Sequence, residues 1–184
     1  MTVSRFDDAT KARIDELVAR YPNRKAALLP ALWVAQEVYG GWLPEEAQAE
    51  VADYLGLPRA EVEGVATFYT MYNKKPVGKH HIEICHNVSC QVFGADDLIH
   101  YCEKKLGISA GETTPDGMFT LNRAECLGAC CNPVAIQVGG KYYEDIKTEA
   151  QIDALIDKLR AGERPAFDTP QGKLPEARTF GRNR

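Results

Sequence analysis

Four cysteines in two short pairs are the residues of this sequence best suited to chemistry. Cys85 and Cys90 are spaced C-x4-C, and Cys126 and Cys130 are spaced C-x3-C. Soft metals take thiolate donors, and each close pair supplies one edge of an approximate tetrahedron. The C-x4-C spacing is that of the first pair in plant-type [2Fe–2S] sites, without the C-x2-C that follows there, whereas zinc ribbons more often use C-x2-C. Spacing therefore favours an iron–sulfur cluster, with a structural zinc as the second reading. Cys131 adjoins Cys130 and makes a C-x4-C with Cys126, so spacing alone leaves either as the fourth ligand. Cys102 falls on the apolar stripe of an expected helix and reads as a small core residue. His86 stands beside Cys85 and could replace a ligand, but a Rieske-type site takes two histidines, and His80 and His81 lie back in an expected strand. His100 reads as plain helix surface.

Composition bounds the classes open to the chain. Its 184 residues suit one large domain or two small ones. Hydrophobic residues make up 45% and charged residues 26%, which is ordinary globular usage. A net charge of −4 argues against nucleic acid as a partner. No run of 18 apolar residues occurs, so direct membrane insertion is not expected. The segment Met1-Thr2-Val3-Ser4-Arg5-Phe6-Asp7-Asp8 lacks an apolar h-region and carries early acid, unlike a secretory signal or transit peptide. A cytosolic chain, or a mature organellar one, is expected. Six cysteines in such a setting point to metal or redox chemistry rather than disulfides.

The elements that must position the cysteines follow from periodicity. Residues 1–74 read as a small helical bundle. Ile14, Leu17, Val18 and Tyr21 form one apolar stripe, broken at Pro22-Asn23. Leu28, Leu29, Leu32, Trp33 and Tyr39 mark a second helix, with Pro30 either kinking it or lying in its first turn. Gly40-Gly41 ends it. Pro44 opens a third helix with Ala47, Val51 and Leu55 inward and Gly56 as the stop. Pro58 opens a fourth, with Val62, Val65, Ala66 and Tyr69. The bundle holds no cysteine or histidine. Its aromatics Trp33, Trp42, Phe68, Tyr69 and Tyr72 are either a docking surface or core.

A linker over residues 74–79 leads to a second domain, residues 75–162. Ile82 and Ile84 alternate in a strand ending at Cys85. Leu98, Ile99, Cys102 and Leu106 give a helix stopped by Gly107. After a turn-rich loop from Gly111 to Gly117, Phe119 and Leu121 mark a strand running toward Cys126. Val134, Ile136 and Val138 form a third strand, joined by Gly139-Gly140 to a fourth at Lys141-Tyr142-Tyr143. Thr148-Glu149-Ala150-Gln151 is a capping box that opens a helix with Ile152, Leu155, Ile156 and Leu159, closed by Gly162. The strand–helix–strand unit predicts a parallel crossover. The carboxyl ends of its strands, where ligands of open sheets gather, then bring the two cysteine pairs together. Residues 163–184, containing Pro and Arg, are expected to form an extended tail.

These residues carry a resemblance. Gly111-Glu112-Thr113-Thr114-Pro115-Asp116-Gly117 and Glu125-Cys126-Leu127-Gly128-Ala129-Cys130 carry it most strongly, with Ala66-Thr67-Phe68-Tyr69 and Tyr142-Tyr143-Glu144-Asp145. Over about residues 8 to 160 the chain resembles the E subunits of bacterial NADH:quinone oxidoreductase (respiratory complex I), which are thioredoxin-like [2Fe–2S] ferredoxins. The resemblance implies an α/β fold, a small N-terminal helical bundle followed by a thioredoxin-like [2Fe–2S] domain. It implies that Cys85, Cys90, Cys126 and Cys130 bind one [2Fe–2S] cluster, and so favours Cys130 over Cys131. It implies an iron–sulfur electron-transfer subunit of an NADH dehydrogenase, without catalytic residues of its own. FMN and NADH belong to a partner subunit, and further iron–sulfur subunits share the complex. Such a chain is cytoplasmic and held peripherally at the inner membrane through that complex. The equivalent diaphorase subunit of a soluble NAD-linked hydrogenase or formate dehydrogenase is the alternative, and a non-redox module with a four-cysteine zinc site a remote one.

The chemistry makes further demands. Cluster potentials span roughly −700 to +450 mV, set by charge, hydrogen bonds to sulfur and exposure, and four thiolates favour the low end. Asn87-Val88-Ser89 and Leu127-Gly128-Ala129 read as short loops whose N–H groups can face sulfur, Gly128 permitting close approach. Asn132-Pro133 lies where thioredoxin-like folds often carry a cis-proline. No G-x-G-x-x-G or P-loop is present, so nucleotide and flavin sites are expected only on a partner, with the bundle as its dock. A thiol–disulfide oxidoreductase is a weak third class, because the redox C-x-x-C is missing.

Overall fold

The computed structural model describes residues 5–163. Apart from Glu163, the expected extended tail lies outside the described residues. The chain divides between Val77 and Gly78 into two compact units, each with a core of its own.

The first unit is helical: α1 (Asp8–Val18), a 3-10 turn (Lys25–Ala27), α2 (Leu28–Val38), α3 (Glu45–Leu55) and α4 (Arg59–Phe68). The Thr10 N–H donates to the Asp7 carboxylate at 2.8 Å, capping α1. That helix ends at Val18, one turn before the expected stripe does. Pro22 disfavours helical backbone at the preceding Tyr21, which lies past the helix and is exposed. Pro30 sits in the first turn of α2, where its missing N–H leaves no intrahelical bond unmade. Pro44 and Pro58 are N-caps, and Gly56 ends α3 in the left-handed conformation. Leu28, Leu32, Val51, Leu55, Val62 and Ala66 fill the core. Buried Gln36 donates to the Met71 carbonyl at 3.2 Å and accepts from the Asn73 N–H at 2.7 Å, tying the chain after α4 back to α2.

The second unit is built on four strands: β1 (His80–Cys85), β2 (Phe119–Ala124), β3 (Ile136–Val138) and β4 (Lys141–Tyr143). Their order is β2-β1-β3-β4. β1 runs parallel to β2, from His80 opposite Phe119 to Cys85 opposite Ala124. β3 is antiparallel to β1 and β4 antiparallel to β3. Between β1 and β2 come α5 (Val88–Val92) and α6 (Ala95–Leu106), and α7 (Glu149–Arg160) follows β4. The Thr148 capping box opens α7. Ile82, Ile84, Ile99, Phe119, Leu121, Ile136, Ile152 and Ile156 make the core. Gly78 leads into β1 because nothing larger fits: a Cβ there would lie 2.9 Å from Phe119 backbone atoms. Its N–H donates to Thr120 Oγ1 at 2.6 Å.

Two local readings change, and one open position is filled in. Asn87-Val88-Ser89 is not a loop; Asn87 is the N-cap of α5, which includes Val88 and Ser89. The element is too short to show an amphipathic period, and only Cys90 within it is buried. β3 starts at Ile136, while buried Val134 exchanges backbone hydrogen bonds with Ile146 instead. The cis peptide bond of this stretch joins Pro133 to Val134, one bond after Asn132–Pro133.

Candidate metal centre

Cys85 closes β1 and is 3% exposed. Its N–H donates to the Ala135 carbonyl at 3.0 Å, so the end of β1 is held on both sides, by β2 and by the chain entering β3. Cys90 lies on α5 at 2% exposure. Burial pushes the Cys90 thiol up to about 11; the Ala135 amide opposes this, while the Cys85 and Cys130 thiols add to it. Buried thiol, neighbouring thiol and backbone donor together describe a pocket in which deprotonation requires a compensating cation.

Cys126 and Cys130 sit in the irregular segment after β2, and both are exposed. The Gly128 N–H donates to the Cys126 sulfur at 3.4 Å. Gly128 has a φ of 72°. The segment is anchored just beyond the cysteines: the Asn132 side-chain amide donates to Glu144 at 2.9 Å, and the Asp145 N–H to the Asn132 carbonyl at 2.9 Å. The structure thus places Cys85 at the end of β1, Cys90 on α5, and Cys126 and Cys130 on one segment after β2. Among the described residues, no three His, Cys, Asp or Glu side chains already form a metal cage. The donor set is nonetheless all sulfur, with the Gly128 N–H on the Cys126 sulfur. That chemistry fits an iron–sulfur cluster, whose sulfurs accept such bonds.

The remaining cysteines and histidines are placed as follows. Cys102 is buried on α6, its thiol pushed up to about 12 by burial. Cys131 is exposed beside Cys130. His81 lies within hydrogen-bonding distance of the Asn122 side chain at 2.8 Å, and burial lowers its pKa. The His80 ring packs on Phe119. His100 is exposed on α6. Of the bundle aromatics, Tyr72 is core and its hydroxyl donates to the Leu29 carbonyl at 2.8 Å. Trp42 is half-buried, whereas Trp33, Phe68 and Tyr69 are exposed, Phe68 at 77%. Sequence reasoning did not find the Ala135 amide, because a backbone donor leaves no mark in residue type. It also did not find the exposed apolar surface beside Cys90: Val88 at 70%, Val92 at 78% and Phe93. The i, i+4 spacing of Val88 and Val92 was the available signal.

Comparison with known proteins bears on this arrangement. The family model described as thioredoxin-like [2Fe–2S] ferredoxin matches residues 14–160. The NADH-quinone oxidoreductase E subunit of Rickettsia conorii is 45% identical over 157 residues, spanning 84% of this chain and 93% of that protein. The second NADH-quinone oxidoreductase E subunit of Rhizobium meliloti is 45% identical over 154 residues, spanning 84% and 90%. Among solved structures, an air-oxidised NAD+-reducing [NiFe]-hydrogenase aligns with a TM-score of 0.62 at 25% identity, over 80% of this chain. This chain spans 24% of the hydrogenase chain it matches.

Proposed function

Since the chain belongs to the thioredoxin-like [2Fe–2S] ferredoxin family, we propose that it is the E-type electron-transfer subunit of an NADH:quinone oxidoreductase. One [2Fe–2S] cluster would be held by Cys85, Cys90, Cys126 and Cys130. The cluster, when bound, supplies one-electron storage and transfer. The chain's own residues supply its setting. Cys85 and Cys90 would hold the site from the dry side, and the Gly128 amide turns the positive end of its dipole toward the Cys126 sulfur. Cys126 and Cys130 lie on the exposed side, where an electron partner has access. Hydride chemistry and its nucleotide and flavin sites belong to a partner subunit that binds NADH and FMN. Exposed Trp33, Phe68, Tyr69 and Met71 on the helical unit support that unit as its dock. No helix among the described residues is long and apolar enough to cross a membrane. In this reading the chain reaches the cytoplasmic face of the inner membrane through its complex.

The observation that carries the proposal is the pairing of Cys85 with Ala124 across β1 and β2, which supports a site shared by the two cysteine pairs at that end of the sheet. Likeness to the hydrogenase supports a second reading, the equivalent diaphorase subunit of a soluble enzyme. Anaerobic purification from the native source tests both. A red-brown chain with two irons and two sulfides, co-purifying with a flavoprotein and membrane subunits, is the expected result. Co-purification with a hydrogenase or formate dehydrogenase favours the second reading. A colourless chain holding zinc overturns both.

A further inference from the structure

The corner between β4 and α7, residues 144–148, touches two separate cysteine-bearing stretches. On one side it holds the chain just after Cys130. The Asn132 side-chain amide donates to Glu144 at 2.9 Å, and the Asn132 carbonyl accepts from the Asp145 N–H at 2.9 Å. On the other side Lys147 Nζ lies 6.0 Å from the centroid of the Phe93 ring. Phe93 is the C-cap of α5, the helix that carries Cys90. Asp145 joins the two sides, because its carboxylate pairs with Lys147 Nζ at 2.6 Å. Asp145 is also the one non-glycine residue with a positive φ, 60°, among the described residues. Aspartate tolerates that region better than most side chains, and such backbone persists where its surroundings over-determine it. Here they do: the Asp145 N–H serves Asn132, while its carbonyl accepts from Gln151 Nε2 at 3.2 Å. Gln151 Oε1 in turn accepts from the Lys147 N–H at 2.9 Å. Gln151 belongs to the capping box of α7, so the corner is fixed to a helix.

We propose that Glu144, Asp145 and Lys147 are positioning residues: a clamp outside the ligand set that spans α5 and the Cys126–Cys130 segment and keeps the two cysteine pairs from parting. This rests on the [2Fe–2S] reading above. The test uses the full chain reconstituted with iron and sulfide. Cluster bleaching under an iron chelator gives the lifetime, and urea unfolding of the unloaded chain gives the stability. Glu144→Ala and Lys147→Ala should each shorten the lifetime about two- to fivefold, the scale of one exposed contact, with the urea midpoint unchanged. The double variant should match the singles, because releasing either arm already frees the span. Two unconnected contacts would multiply their factors instead. Asn132→Asp sets a second carboxylate against Glu144 and should also shorten the lifetime. Adding Glu144→Gln, whose amide can donate back to the new carboxylate, should restore it. A parent-like lifetime in either alanine variant overturns the proposal, as do multiplied factors in the double variant or a lifetime that stays short in the restored pair. So does a fall in the urea midpoint that accounts for the whole loss of lifetime. Cd2+ binding to the unloaded chain, read from thiolate-to-metal absorption, should rank the variants in the same order; equal affinity across them also overturns the clamp. A parent chain that binds Cd2+ but forms no cluster refutes the functional reading instead, and the Cd2+ ranking then decides the clamp by itself.

Discussion

Alanine in place of a thiol removes a metal donor without offering an oxygen in return, so it separates ligands from bystanders. Cys85→Ala, Cys90→Ala, Cys126→Ala and Cys130→Ala should each lower the iron and sulfide content of the reconstituted chain by roughly tenfold, an increment of about 1.4 kcal/mol or more. Cys102→Ala and Cys131→Ala should leave it unchanged. Retention in Cys130→Ala with loss in Cys131→Ala would reassign the fourth ligand. Cys102 has its own pH signature. Its folded pKa is raised from 9.0 to about 12 by burial, so between those values the folded chain binds more protons than the unfolded one. Stability is then intact below about pH 9 and falls as pH rises toward 12, by roughly 1 kcal/mol per pH unit for one thiol. Chemical denaturation across that window should show a shallower fall in Cys102→Ala. At this scale the sequence was informative about residue type and spacing, and Cys102 lies in the core as its place on an apolar stripe suggests. It pointed to the Gly128 loop as a source of N–H groups facing sulfur, which the Gly128–Cys126 bond bears out, and was silent on the Ala135 amide.

Elements were legible where their periodicity was long enough to read. α6 and α7 bury the residues their stripes predict, and the parallel pairing of β1 with β2 follows from the helix between them. α5 was missed because one short turn carries no period, and α1 was overextended because apolar spacing persists past the point where Pro22 ends helical backbone. Two substitutions probe these elements. Gly78→Ala would press a Cβ onto Phe119 backbone and loosen the start of β1 against β2, costing about 1–3 kcal/mol. Thr148→Ala removes the side-chain half of the α7 capping box, costing about 1 kcal/mol. Equilibrium urea unfolding measures both; a Gly78→Ala chain as stable as the parent would show that the contact relaxes freely.

At the scale of the whole molecule, each unit encloses its own apolar cluster, and every candidate ligand lies in the second. A fragment starting at Lys75 should therefore still fold and take up the cluster on reconstitution, while binding the flavin subunit at least tenfold more weakly than the full chain. Failure to take up any cluster would make the helical unit part of the second unit's core, and full-strength partner binding would remove it as the dock. The strand order has a consequence for how the chain comes to exist. β1 is an interior strand, flanked by β2 and β3, yet both neighbours are encoded downstream of it. On the ribosome, the His80–Cys85 segment emerges with neither edge covered; one edge can be covered only after Ala124 and the second only after Val138 have followed. Synthesis at roughly 5–20 residues per second leaves that interval seconds long. A nascent chain in this state is a natural client for holding chaperones, and its metal can be delivered only after translation has passed the final ligand.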